Sequence, residues 1–252
     1  MKNLLKYSLL LLLGAASVSA ADSTELQAAL TAAQQLAKDG KFAEALDKHV
    51  WYHENSRNTC NTSQIGVRLS FAMADWKKLA DQFPPAKEKL FQLRDKAEQA
   101  VLAGHGGFTE FTEIAAIDRI YDQEKKSYEL FRKLAEVSPA TAKKCYFGAQ
   151  DLLMKQKDYA LCAKFAPEPN QEYSAWELAW KRTAQSAGKN QPVEDSIRQM
   201  CLRKFRQLIE VLIGSGQVEK AVEIQKRALD LTQDKSLETA VEDAKKKVQE
   251  KP

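Results

Sequence analysis

The stretch from Asp39 to Asn55, DGKFAEALDKHVWYHEN, places a tight turn directly before a segment with helical periodicity. Gly40 marks the turn, and residues such as Phe42, Ala45 and His49 then recur at intervals of three and four. This spacing puts their side chains on one face of an α-helix. The preceding segment, residues 23–38, is rich in alanine and also reads as a helix, so the two segments are predicted to form a helix-turn-helix unit.

The same periodicity extends through nearly the whole chain, and no stretch sustains the alternation of a β-strand. The pattern therefore predicts an all-α protein. Residues 64–83 are expected to form one helix, which Pro84 and Pro85 end because proline lacks the backbone N–H and clashes with the preceding turn. With 44% hydrophobic and 29% charged residues, the composition is that of a folded protein.

Four predicted turns align with one another along the chain. The turn residues are Gly40, Asp122, Lys157 and Gly216. Five residues after each turn residue stands a small side chain: Ala45, Ser127, Cys162 and Ala221. Small side chains at this point let two helices approach closely. The separation of 35 residues between Asp122 and Lys157 is one repeat period.

Upstream of these turns, Phe111, Tyr146 with Ala149, and Phe205 recur at corresponding positions. The pattern resembles the tetratricopeptide repeat (TPR), a helical pair with a period of 34 residues. The segments HVWYHEN and VRLSFAMADW also resemble parts of exported bacterial proteins that contain such repeats. The resemblance implies antiparallel helix pairs stacked as a right-handed superhelix, or α-solenoid, with a concave groove that binds a protein or peptide. A plain helical bundle is the alternative.

Residues 1–20 have the features of a signal peptide. Lys2 and Lys6 precede a short apolar run at residues 9–13, and small residues lead to a cleavage site after Ala20. The apolar run is too short for a permanent membrane span, which needs about 20 residues. We therefore expect a periplasmic or secreted protein without a membrane span in the mature chain. Residues 21–252 are expected to form a single TPR-like domain, with a secondary boundary near residues 188–192.

The charge balance gives little reason to expect a nucleic-acid partner. Removing Lys2 and Lys6 from the 38 basic residues leaves 36, against 34 acidic residues. Such a near balance provides no strongly basic surface for nucleic acid or an anionic membrane. The predicted partner is a protein or peptide, and the sequence leaves the oligomeric state open.

Four cysteines would enter an oxidising compartment, namely Cys60, Cys145, Cys162 and Cys201. Four cysteines allow three pairings, and the sequence alone does not choose among them. Cys145 and Cys162 flank one helical hairpin, but they are predicted to lie about one and a half turns out of register. A disulfide between them and a pair of buried free thiols remain alternatives.

His49 and His53 lie four residues apart on one helix face, and Glu54 follows directly. This spacing suits two metal ligands, but the order differs from the HExxH motif of metalloproteases. Two buried core histidines are the simpler interpretation, and a contact with a ligand in the groove is a third. Trp176 and Trp180 also share a helix face and could line the groove, although aromatic residues at this spacing are more often part of a core.

No pair of carboxylates and no Cys–His arrangement marks a catalytic centre in the sequence. We therefore predict a noncatalytic interaction scaffold, with no catalytic residue, no cofactor and no resident metal. A metal-dependent or cell-wall-acting hydrolase that uses His49, His53 and Glu54 is the alternative.

Overall fold

A computed structural model describes residues 22–57, 62–185 and 191–250. Every regular element in these ranges is a helix, which confirms the predicted all-α class. The chain divides into two compact units, here called the N-terminal unit, which ends at Phe83, and the C-terminal unit, which begins at Pro84. The sequence placed a secondary boundary near residues 188–192, of which 188–190 lie outside the described ranges, as does the predicted signal peptide.

The N-terminal unit contains four helices: α1 (Ser23–Lys38), α2 (Phe42–Ser56), α3 (Thr62–Leu69) and α4 (Phe71–Ala80). Helices α1 and α2 form an antiparallel pair across the turn at Gly40, and α4 packs against both. The core between them contains Leu26, Tyr52 and Trp76, each at most 2% exposed. The predicted helix-turn-helix unit is therefore present, with a third helix covering its apolar side.

The prediction of a single helix over residues 64–83 is wrong, because the helical backbone is interrupted at Ser70. The backbone there has φ −126° and ψ −87°, outside the helical region. The Ser70 hydroxyl donates to the Gly66 carbonyl at 2.6 Å. Side-chain hydrogen bonds of this kind compete with the helical backbone pattern, and α3 and α4 are consequently separate short helices.

The C-terminal unit contains the remaining nine α-helices of the described residues. They are α5 (Pro84–Leu102), α6 (Phe108–Ile120), α7 (Glu124–Val137), α8 (Pro139–Lys155), α9 (Tyr159–Phe165), α10 (Pro169–Gln185), α11 (Gln191–Gly214), α12 (Val218–Thr232) and α13 (Ala240–Gln249). A 3₁₀ turn at Lys235–Leu237 precedes α13. Consecutive helices pack in pairs, and α6 also contacts α8 while α11 contacts α13. The helices therefore form layers within this unit.

Two apolar cores lie among the described residues of the C-terminal unit. In the first, the Phe131 ring lies edge-on to Phe111 and Phe165, with ring centroids 5.7 and 5.6 Å apart. In the second, Tyr173 of α10 packs against Phe205 of α11 at 5.3 Å. Fully burying one such side chain contributes about 1.5–3 kcal/mol, so these aromatic residues dominate the packing between layers.

A buried ion pair connects the first three helices of the C-terminal unit. Arg94 of α5 donates from Nε to Asp118 Oδ1 at 2.6 Å and from a terminal nitrogen to Oδ2 at 3.1 Å. The Ser127 hydroxyl of α7 donates to the same carboxylate at 2.6 Å. Removing one partner of a buried pair typically costs about 3–5 kcal/mol. Ser127 is the small residue of its turn, so the position combines close packing with a hydrogen bond.

The four aligned turns share one backbone geometry. Their turn residues are left-handed, with φ of +75°, +55°, +55° and +78° at Gly40, Asp122, Lys157 and Gly216. In each turn the following residue donates its N–H to a carbonyl five residues earlier, at 2.7–2.9 Å. This is the Schellman motif that ends a helix. The small residues five positions later, Ala45, Ser127, Cys162 and Ala221, are all fully buried.

Cys145, Cys162 and Cys201 are buried free thiols, so the structure does not contain the disulfide considered between Cys145 and Cys162. Burial raises the pKa of the Cys145 thiol to about 11, which keeps it protonated. Cys60 lies outside the described residues. Among the described helices, none has the length and apolar character needed to cross a membrane.

The left-handed turn gives a direct test of backbone strain. Gly40 has open space around its Cα, so alanine there meets no clash and only the φ of +75° opposes it. Gly40→Ala should lower the free energy of unfolding by about 1–2 kcal/mol. Gly66, in α3 of the same unit, is equally open and has no positive φ, and Gly66→Ala should raise the free energy by up to about 1 kcal/mol. Urea unfolding measures both changes in the free energy of unfolding. Equal changes in the two variants would contradict the left-handed conformation assigned to Gly40.

Candidate functional site

His49 and His53, singled out by their spacing, both lie against one tryptophan. The His49 ring stacks on Trp76 of α4 with centroids 5.6 Å apart, and the His53 ring meets Trp76 edge-on at 5.9 Å. The two imidazoles are 2% and 4% exposed. They therefore belong to the interface between α2 and α4 and form part of the core of the N-terminal unit.

Glu54 does not join the two histidines. It lies on the exposed side of α2, while His53 points inward and approaches Arg68 of α3, with Nε2 3.4 Å from an Arg68 guanidinium nitrogen. Within the described ranges, no three His, Cys, Asp or Glu side chains are arranged to hold a metal ion. His49, His53 and Glu54 therefore do not come together in the site that the hydrolase alternative requires.

The environment of His49 favours its neutral form. Burial lowers the pKa of His49 to about 4, while the nearby Asp75 carboxylate opposes that shift. The Nδ1 atom is buried and has no hydrogen-bond partner within the described part of the chain. At neutral pH His49 is consequently an uncharged imidazole, and its Nδ1 is left without a partner among the described residues.

The shifted pKa of His49 makes stability depend on pH. An unfolded histidine has a pKa of about 6.5, so between that value and about 4 the unfolded chain binds more protons than the folded chain. Stability therefore falls as the pH drops through this window, by up to about 3 kcal/mol. His49→Phe keeps a ring on Trp76 and should remove that contribution, as measured by urea unfolding at a series of pH values.

A second measurement locates the titration itself. The chain has three histidines, and the ring signal lost in the ¹H–¹³C spectrum of His49→Phe identifies that of His49. We expect this signal to titrate near pH 4. A midpoint at or above about pH 6, the ordinary range for histidine, would contradict the assignment.

Trp176 and Trp180, the predicted groove residues, are half-buried on α10. Both pack against the second apolar core of the C-terminal unit. The Arg198 guanidinium of α11 lies 5.7 Å from the Trp180 ring centroid, a cation–π arrangement. The two tryptophans thus contribute mainly to the packing between α10 and α11.

A groove whose lining residues the sequence did not single out as groove residues lies in the C-terminal unit, between α8, α11 and α13. We call it the α8/α11/α13 groove; its volume is about 600 Å³. The charged side chains that line it comprise five basic and three acidic ones. The residues that line the groove are spread over about 100 positions of the sequence, from Asp151 to Glu250. They therefore form no local motif that the sequence could reveal.

The acidic groups at one end of the groove are held by internal donors. Glu210 accepts a hydrogen bond from the Tyr159 hydroxyl at 3.0 Å and another from Lys247 Nζ at 3.0 Å. Asp151 accepts from the Gln207 amide at 2.8 Å. Burial and the neighbouring Glu210 raise the pKa of Tyr159. These acidic side chains are therefore occupied in maintaining the wall of the groove.

The two arginines of the groove are less fully paired than its acidic groups. Arg206 donates to the Ser236 carbonyl at 3.1 Å, and Arg203 is exposed and makes no ion pair with any described residue. In the groove, Gln207 Oε1 is buried and lacks a hydrogen-bond donor within the described ranges. The groove thus offers two exposed guanidinium groups to a ligand.

A close contact fixes one wall of the groove. The Tyr159 ring lies directly against Gly214 of α11, where an added Cβ would come within 2.2 Å of the ring. Any side chain at position 214 would have to displace the Tyr159 ring. Glycine at this position therefore allows the ring to pack closely against α11, where its hydroxyl donates to Glu210.

Glu172 is a buried acid that the sequence did not single out. It is 4% exposed, and neither carboxyl oxygen makes a hydrogen bond within the described residues, although Gln150 lies nearby. Burial raises the pKa of Glu172, against the opposing charge of Lys204. Because the side chain is closed off from solvent, we interpret it as a strained core position and not as a catalytic acid.

Replacing Glu172 tests this interpretation. A carboxyl whose folded pKa is raised stabilises the fold below its unfolded pKa, and the contribution is lost as the pH rises through the folded pKa. Glu172→Gln should therefore raise the free energy of unfolding at neutral pH by about 1 kcal/mol and flatten the decline in stability as the pH rises from the unfolded carboxyl pKa through the raised folded pKa. The exposed Glu219→Gln is the control. An unchanged pH dependence in Glu172→Gln would contradict the shift.

Comparisons with protein-family models, curated proteins and solved structures find no match to this chain.

Proposed function

We propose that this protein is a noncatalytic, exported interaction scaffold that holds an extended polypeptide segment in the α8/α11/α13 groove. The observation that carries the proposal is the groove itself, which α8, α11 and α13 form together with Tyr159 of α9 and which presents the exposed guanidinium groups of Arg203 and Arg206. The shared geometry of the four turns supports a TPR-like array of helix pairs, stacked as a right-handed superhelix. The predicted signal peptide at residues 1–20 supports a periplasmic or secreted location.

The charge of the groove favours an acidic segment as the occupant. Guanidinium groups bind carboxylates through paired, charge-assisted hydrogen bonds. Arg203 and Arg206 lie three residues apart on α11, so they present their charges on one side of the helix. Glu210 is already bound by Tyr159 and Lys247, so it adds little repulsion toward an incoming carboxylate.

Synthetic peptides provide the test. A panel of ten-residue peptides with acidic, neutral or basic composition is titrated against the whole protein by fluorescence anisotropy at physiological salt. We expect saturable binding of acidic peptides. The double change Arg203→Ser with Arg206→Ser should weaken that binding at least about tenfold, since each charge-assisted hydrogen bond contributes about 1.5–3 kcal/mol.

The matched control removes the same charge elsewhere in the C-terminal unit. Lys133 of α7 and Lys226 of α12 are exposed and do not line the groove. Lys133→Ser with Lys226→Ser should leave peptide affinity within about twofold of the wild type, because charges beyond the Debye length are screened. Equal losses in both double variants would show a nonspecific charge effect, and no peptide binding at all would overturn the proposed function.

A further inference from the structure

The N-terminal unit contains a separate pocket of about 540 Å³ between α1, α2 and α4. His49, Asp75 and Leu79 line it, and the exposed Lys38 and Lys78 stand at its edge. Its volume lies within the usual range of small-molecule sites, about 300–1,000 Å³. The pocket combines an apolar wall with charges of both signs. The function proposed for the α8/α11/α13 groove assigns no role to this pocket.

Asp75 is the anionic group of this pocket. Its Oδ2 accepts from the Gln34 amide at 2.6 Å and its Oδ1 from Lys78 Nζ at 2.8 Å. Partial burial opposes ionisation, but the hydrogen bonds from Lys78 and Gln34 outweigh it and lower the pKa of Asp75. The carboxylate is therefore charged at neutral pH, and each oxygen retains a further lone pair for a ligand.

His49 supplies an unused polar group beside Asp75. Its side chain is 2% exposed, it lines the pocket, and its Nδ1 has no partner among the residues that the structure describes. A buried polar atom without a partner costs free energy that a ligand hydrogen bond can recover. Since the ring is neutral at physiological pH, it does not repel a cationic ligand group.

We propose that this pocket binds a zwitterionic amino acid, with the ammonium group between Asp75 and His49 and the carboxylate beside Lys38 and Lys78. A simple cation would meet the two lysines, and a simple anion would meet Asp75. A ligand with both charges exchanges the Asp75–Lys78 ion pair for two pairs of its own. Leu79 and Ala37 contact the ligand side chain.

Three isosteric probes separate these possibilities. They are L-leucine, which carries both charges, 3-methylbutylamine, which keeps only the ammonium, and 4-methylpentanoate, which keeps only the carboxylate. Each is titrated into the whole protein while the His49 ring signal is followed in the ¹H–¹³C spectrum. We expect L-leucine to shift that signal with a dissociation constant of about 1 mM or lower, and each single-charge probe to bind at least about tenfold more weakly.

Two variants and one control connect the binding to the named residues. Asp75→Asn keeps the shape of the side chain and should weaken L-leucine binding at least about tenfold, while Lys38→Met with Lys78→Met should weaken it by a similar factor. The control is Asp81→Asn, at the residue after α4, which removes a second Lys–Asp pair, Lys77–Asp81 at 2.8 Å, whose residues do not line the pocket. Circular dichroism verifies that each variant is folded.

Any of three results would overturn the proposal. They are the absence of a saturable shift of the His49 signal at up to about 50 mM L-leucine, equal binding of L-leucine and 3-methylbutylamine, and unchanged L-leucine affinity in folded Asp75→Asn. The pocket and the α8/α11/α13 groove lie in different units, so failure here leaves the peptide proposal intact.

Discussion

The left-handed turn is the constraint on which the helix pairs depend. In each of the four turns, one residue at positive φ lets the chain reverse within a few residues and satisfies the last carbonyls of the preceding helix. The next helix then begins so close that only a small side chain fits five residues later. Glycine adopts this conformation without strain, whereas Asp122 and Lys157 each adopt it at a cost of about 1 kcal/mol or more. At Lys157 the side chain offsets this cost by donating to the Lys247 carbonyl.

The turns and most helices could be predicted from the sequence because local interactions determine them. Helix α1 begins and ends where predicted, at Ser23 and Lys38, and all four aligned turn residues are left-handed. The break at Ser70 could not be predicted in this way. Hydrophobic periodicity continues across it, and the hydroxyl bond to Gly66 that accompanies the break leaves no trace in the pattern.

The candidate sites could be predicted only in part, because they depend on contacts between helices that local spacing does not reveal. Spacing of three or four residues reveals partners on one helix, such as His49 with His53, and it correctly placed both on one face. It does not reveal Asp75, which reaches His49 only because α4 packs against α2. The α8/α11/α13 groove could be predicted even less, since Arg203 of α11 and Lys247 of α13 both line it although they lie far apart in the sequence.

The distribution of ionisable groups argues for binding over proton transfer. Two buried groups, His49 and Glu172, are driven toward their neutral forms by desolvation, and Glu172 is closed off from any substrate. In the groove, Glu210 already accepts hydrogen bonds from Tyr159 and Lys247. The exposed arginines remain charged at all physiological pH values. Fixed positive charge suits recognition of an anionic ligand, while general acid–base chemistry requires a group that titrates near the working pH.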